Sequence, residues 1–398
     1  MDSFGRKFRV SIFGESHGEA IGVVLDGVQP GLQLSVDDFT ADILRRKSGA
    51  KGTTPRIEAD EPEILSGVYN GYTTGAPLTV IFHNRNTRST DYKLFNDIPR
   101  PGHADYTASV KWMDFNDPRG GGHFSGRITL PLVAAGVVAK KMIGCTVSAE
   151  LIEVGGVTRE AALADLFRCG CIKTGCASDF LADEGGKPAK GEKLRNDENE
   201  SLGGVVSRDP AAHGTGDRYP VPGEEASLSA ADIWRKVLDD AIRSQDSVGG
   251  IVECTVDRVP AGLGEPFFDS VESLVSHAVF SIPGVRGIEF GDGFAAARMR
   301  GSQHNDPFDD VSQPFSVHPS KNGAGGVNGG ITNGNPVVFR VAFKPTSSIG
   351  KPQKTWNFAR KEMDTLVIPG RHDTCFALRT PVIVEAVTAI VLADLLKM

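Results

Sequence analysis

Two stretches of this chain lack a polar face. Over roughly residues 129–143, "TLPLVAAGVVAKKM", apolar side chains nearly circle a helical axis. The C-terminal "TPVIVEAVTAIVLADLLKM" reads as a second long apolar helix. A helix that is apolar all round is buried on most sides. No run of about 18 apolar residues occurs, so neither stretch reads as a membrane span. The enclosing material is β: "KFRVSIFG", "IGVVLDGV", "APLTVIFHN", "GGIVECTVDRV" and "PVVFRVAFKP" read as strands. "SVDDFTADILRRK" predicts a capped amphipathic helix, with Ser35 as N-cap, acidic residues in its first turn and basic ones in its last. "VESLVSHAVFS" also looks helical. Strands mixed with long apolar helices predict an α+β layered fold.

With 398 residues and 40% hydrophobic content, the chain can bury a large core. Its net charge of -7 argues against a nucleic-acid surface as its main function. No basic segment followed by an apolar one opens the sequence, which predicts a cytoplasmic protein with no membrane partner. Among the six cysteines, "CGCIKTGC" has neither zinc-ligand spacing nor a histidine nearby, so no metal site is expected and the thiols are expected reduced. The whole chain reads as a single domain. Residues about 183–228, charged and rich in Gly and Pro, read as a polar insertion or flexible loop within it.

Four polar, glycine-rich islands interrupt the apolar scaffold: "GESHG", "RPGHADYT…NDPRGGGHFSGRIT", "NGAGGVNGGITNG…KPTSS" and "PGRHDTC". Each offers bare backbone N–H groups, hydroxyls and a Lys or Arg, which an anionic ligand requires. His17 and His103 each adjoin a glycine in a turn. Each reads either as a proton-transfer group near neutrality or as a turn-stabilising hydrogen bond. His123 lies in a glycine run that could line a ligand site. Arg45, Arg46, Lys47 and Lys51 close a helix, where they could answer its dipole or bind an anion. Arg127 and Arg371 follow small-residue turns that can bring a guanidinium onto a phosphate or carboxylate. Asp373, in "RHD", is either an ion-pair partner or a proton acceptor beside a cofactor.

Together the islands resemble the chorismate synthase family. "GESHGEAIGVVLDGVQPG", "RPGHADYT", "RGGGHFSGRIT", "GLGEPFFD", "GIEFGDGF", "RGSQHND", "GGITNG", "KPTSS" and "GRHDTC" match it in kind and order, over about residues 5–155 and 240–398. The resemblance implies a β-α-β sandwich with helices packed between sheets, and a homotetramer. It implies anti-1,4-elimination of phosphate and a C6 proton from 5-enolpyruvylshikimate 3-phosphate, giving chorismate, the last step of the shikimate pathway. Reduced FMN is the implied cofactor, within the FMN/FAD flavin class, although no net redox change occurs.

Residue by residue, the resemblance makes His17 a proton donor to the reduced flavin and His103 the acid that protonates the departing phosphate. Asp373, assisted by Ser16, takes a proton from flavin N5. His123, Phe124, Ser125, Pro283, Gly284, Gly329, Lys344, Pro345, Thr346, Ser347, Ser348 and Arg371 carry over as the flavin site. Arg46, Lys51 and Arg127 carry over as substrate or NADP phosphate contacts. Many members have Arg-Ser-Ser at His123-Phe124-Ser125, Asn-Ala at Pro283-Gly284, and Pro at Thr374. Two other readings use the same residues: a flavin reductase or oxidoreductase, and a non-catalytic FMN-binding protein.

Overall fold

The structure is a computed structural model that describes residues 2–54, 58–86, 94–162, 230–308, 319–368 and 372–396. The polar insertion at 183–228, the cysteine cluster at 169–176 and Arg371 lie outside the described residues. The chain divides into two compact units. The larger comprises Met1–Arg159 and Trp234–Met398. The smaller, Glu160–Ile233, is described at its ends alone.

Two antiparallel five-stranded sheets dominate the larger unit. The first contains β1 (Ser3–Phe4), β2 (Arg9–Gly14), β3 (Ala20–Asp26), β4 (Glu63–Ser66) and β5 (Leu78–His83), in the order β1-β2-β3-β5-β4. The second contains β6 (Thr146–Val154), β7 (Val157–Thr158), β8 (Gly250–Asp257), β9 (Val285–Phe290) and β10 (Val337–Phe343), in the order β9-β10-β8-β6-β7. In β8 and β10 buried residues alternate strictly with less buried ones, as strands with one face on a core require.

The helices that bear on the core and the site are α1 (Thr40–Arg46), α2 (Asp105–Trp112), α3 (Thr129–Met142), α4 (Val271–Val279) and α5 (Pro381–Leu395); Ala230–Arg243 and Gly301–His304 are helical as well. One side of α3 packs on β3 and β5 of the first sheet, and the other meets α5. In turn α5 packs on β6 and β8 of the second sheet. The result is a β-α-β sandwich whose helical middle layer is almost wholly buried. Every residue of α5 from Val382 to Leu395 is buried, which is why its sequence has no polar stripe. The two helices approach closely at Gly136, where a Cβ would fall 2.3 Å from Ala386 Cβ.

The expected capped helix starts differently. Residues Val36–Phe39 form a 3₁₀ turn before α1, and the Asp38 carboxylate accepts the Ser35 backbone N–H at 2.7 Å. Such tighter turns are common at α-helix starts. Among the described residues no helix is long and apolar enough to cross a membrane.

Candidate active site

Five connections converge at the end of the sandwich where α3 and α5 begin. They are the β2–β3 turn, the residues before α2, the loop before α3, the segment after β10 and the segment before α5. Helix N-termini favour anions because their first N–H groups point outward unpaired. Here these termini adjoin a cavity of about 620 Å³, within the ~300–1,000 Å³ usual for ligand sites.

Its charge is strongly one-sided. Arg46, Lys47, Arg100, Arg127, Arg286, Lys344 and Arg379 line it against Glu58, Asp60 and Asp373. Among the described residues that leaves a formal excess of four positive charges, in a chain whose net charge is -7. Concentrated cations in a cleft draw an anionic ligand in and hold it there.

The arginines are not equivalent. Arg46 is fully engaged: Nε donates to Thr129 Oγ1 (3.0 Å), Nη1 to Asp60 Oδ2 (3.4 Å), and Nη2 to the Gly126 and Arg127 carbonyls (3.0 and 3.3 Å). Burial, with Arg379 close by, lowers its pKa to about 9, so it stays charged at neutral pH. Arg127 donates to Asn84 Oδ1 at 2.8 Å and to Asp60, yet its Nη2 is buried without a partner among the described residues. Arg379 pairs with Asp373 at 2.7 Å, lies over the Phe376 ring, and leaves Nε equally unpartnered. Thr346 Oγ1 and His372 Nε2 share that condition. Buried polar groups are nearly always hydrogen-bonded, and each orphan costs ~1–3 kcal/mol. Four such atoms belong to residues that line one cavity.

The Ser16–His17 turn lies against the glycine loop. Gly120, Gly121 and Gly122 all have positive φ, and the Ser16 N–H donates to the Gly122 carbonyl at 3.1 Å. A Cβ on Gly120 would fall 2.5 Å from His17 Cδ2 and 2.8 Å from Ser16 Oγ. Glycine is therefore required there to let the turn and the cavity wall meet. Ser16 is fully buried, and its Oγ has no partner among the described residues.

Asp373 lines the cavity, its carboxylate held by the Thr54 N–H (2.9 Å) and Arg379 (2.7 Å). His103 lines it too, with Nδ1 2.7 Å from Asp105 Oδ1. Burial lowers the His103 pKa, opposed by the hydrogen bond to Asp105. His372 is pulled down to about 4, first by burial and then by Arg100, and is neutral.

Of the expected flavin residues, Phe124, Ser125, Pro283, Gly284 and Lys344 through Ser347 line the cavity. Ser348 stands just behind, accepting from Arg100 Nη1 at 3.2 Å. Three expected residues lie elsewhere. His123 pins its ring to the Gly14 carbonyl (2.8 Å) and Asp2 (3.2 Å). Gly329 sits in an open hairpin turn with nothing near it. Lys51 is half-exposed and paired with Asp239 at 2.6 Å. Asp60, Arg100, Asp105, His372 and Arg379 were not singled out by role in the sequence. "RPGHAD" and "RHDTCFALR" carried the only signal for four of them, a charged residue close to a candidate histidine or aspartate.

The family model for chorismate synthase matches residues 8–396. Curated relatives named chorismate synthase include those of Chitinophaga pinensis, 49% identical over 99% of this chain and 96% of the relative, and Dehalococcoides mccartyi, 41% identical over the same shares. The relative from Thermococcus kodakarensis is 39% identical over 98% of this chain and 96% of its own length. A solved structure described as chorismate synthase superposes with a TM-score of 0.63 at 24% identity, covering 99% of this chain and 92% of the other, and supports the fold. The chain belongs to the chorismate synthase family, carbon–oxygen lyases of the shikimate pathway to aromatic amino acids.

Proposed function

We propose that the cavity binds 5-enolpyruvylshikimate 3-phosphate beside reduced FMN, with His103, Asp373, His17 and Ser16 as the proton-handling groups. The observation that carries this reading is the cationic excess on the cavity wall, facing a substrate with one phosphate and two carboxylates. Arg127 and Arg379, which line it, each carry a buried nitrogen without a partner among the described residues. Arg46, with four of its five N–H donors already taken, chiefly stiffens that wall.

A flavin fits the remaining features. Lys344 donates to the Gly102 carbonyl and to Ser347 Oγ, which fixes the segment after β10 beside the His103 turn. Thr346 Oγ1 and His372 Nε2 are polar atoms without partners among the described residues, and a Cβ on Gly284 would meet Phe376 Cδ1 at 3.7 Å, so the bare backbone there leaves that ring face to a ligand. When bound, the reduced flavin supplies electron density and a proton-accepting nitrogen to an elimination without net redox change. His103 Nε2 protonates the departing phosphate. The Asp373 carboxylate, oriented by two donors, accepts a proton. His17 and Ser16, pressed on Gly120, keep a proton source at the loop's back.

A homotetramer and a cytoplasmic location complete the proposal. Phe267 and Phe268, 86% and 92% exposed, are apolar area that a second copy would cover. Cys145, Cys254 and Cys375 are free thiols, as in a reducing compartment.

The test is anaerobic turnover with FMN reduced by dithionite, following chorismate absorbance and phosphate release, beside a sample given FMN and NADPH alone. Turnover with dithionite is expected. Turnover with NADPH as well would add a built-in flavin reductase. FMN binding without turnover in either sample would overturn the catalytic reading.

A further inference from the structure

His103 belongs to a triangle of short contacts. Its Nδ1 is 2.7 Å from Asp105 Oδ1 and 3.0 Å from Arg100 Nη2, and Arg100 Nη2 donates to Asp105 Oδ1 at 2.7 Å. In the protonated ring Nδ1 donates to Asp105 and Nε2 is the atom that delivers its proton; in the neutral ring Nδ1 either keeps its hydrogen toward Asp105 or accepts from Arg100 Nη2. The Cε1–Nε2 edge faces Gly121, 3.7 Å from where a Cβ there would stand.

Asp105 is held as firmly as it holds. Its side chain is 8% exposed, and it accepts from the Arg100 backbone N–H (3.0 Å), Nε (2.7 Å) and Nη2 (2.7 Å). It is the first residue of α2, where the helix dipole also favours an anion. It does not line the cavity, so it reaches the reaction through the two lining residues it holds, His103 and Arg100.

We propose that Asp105 is a positioning residue for the elimination, orienting the His103 ring and stabilising its imidazolium so that Nε2 delivers the proton to the departing phosphate. This rests on the reading of His103 as that acid. The surrounding charges show why a carboxylate is needed. Arg100, Lys344 and His372 face the ring with Asp105. Burial, Arg100 and Lys344 each disfavour a charged imidazole, and Asp105 alone favours it. An acid must be protonated to act. Without the Asp105 charge the His103 pKa falls, and each unit removes about tenfold of the protonated form at neutral pH.

The test is the pH profile of kcat for full-length Asp105→Asn under dithionite-reduced FMN. Asn preserves the shape and an acceptor oxygen but removes the charge. The expected result is a loss of about 10²-fold in kcat at neutral pH, a basic limb displaced to lower pH, partial recovery on acidification, and an unchanged KM. A uniform loss at every pH, or a wild-type profile, overturns the proposal. Asp105→Glu keeps the charge and is expected to lower kcat with the basic limb in place. A displaced limb in that variant also overturns it, which covers the case of Asp105→Asn failing to fold. His103→Ala separates the two layers. Wild-type turnover there removes the acid assignment and this proposal together. Loss of turnover there with an unaltered Asp105→Asn profile removes this proposal alone.

Discussion

Gly120 shows how much of this site depends on a missing side chain. Its φ is +63°, and a Cβ would stand 2.6 Å from His17 Nε2 and 2.8 Å from Ser16 Oγ. Neither neighbour has room to retreat, since Ser16 is fully buried and His17 is 7% exposed. Gly120→Ala is therefore expected to lower kcat at least about tenfold, because a ~1 Å displacement at a reacting centre is costly. The left-handed backbone adds about 1–2 kcal/mol of destabilisation, read from the urea midpoint. Gly329→Ala is the control: φ is also positive, but nothing lies within 4 Å, so turnover should not change. Wild-type kcat in Gly120→Ala would remove the Ser16–His17 turn from the reacting centre. At this scale the sequence was readable where chemistry is local. His17 and His103 stand out beside glycines, and Asp373 in its charged "RHD" setting. Asp60 does not, because its role is to bind Arg46 and Arg127, partners 14 and 67 residues away, and its φ of +53° is invisible in a string of letters.

The helices are where the sequence spoke most clearly. A run apolar on every side predicted a buried helix near 129–143, and α3 covers Thr129–Met142 in the middle layer. The strand runs likewise became β2, β3, β5, β8 and β10, with ends shifted by a residue or two. What periodicity could not supply was the partner of each face. Gly136 illustrates this, since a glycine inside a helix normally costs ~1 kcal/mol relative to Ala. Gly136→Ala should therefore stabilise an isolated α3. In the protein the new Cβ would meet Ala386 Cβ at 2.3 Å and its Cα at 2.5 Å, and backbone yields less readily than a side-chain tip. Overpacking of this kind costs ~1–3 kcal/mol. The overlap wins, and urea unfolding should show a net loss of about 1–2 kcal/mol. A more stable variant would mean that α3 and α5 are less closely seated than described.

Across the whole molecule, one buried carboxylate joins four elements. Glu385 of α5 is 3% exposed and accepts from Arg45 of α1 (2.6 and 2.7 Å), Lys140 of α3 (2.7 Å) and the Ala149 N–H of β6 (3.0 Å). Burial pushes its carboxyl up, but the Arg45 hydrogen bonds and the Lys140 charge outweigh this, and its pKa lies below the ordinary 4.5. Glu385→Gln leaves Lys140 and Arg45 without their counter-charge in the middle layer. Breaking a fully buried pair costs ~3–5 kcal/mol, and the 45% exposure of Arg45 screens its share, so about 2–3 kcal/mol is expected at neutral pH. The sign with pH follows from the depressed pKa. The contribution is complete above the unfolded value near 4.5 and drains away as pH falls through the lower folded value. Wild type and Glu385→Gln should therefore converge in stability on acidification, with wild type ahead at neutral pH. Parallel urea titrations at the two extremes decide it. A gap that stays constant with pH would show that the carboxylate's shape, rather than its charge, ties the second sheet to the helices packed on it.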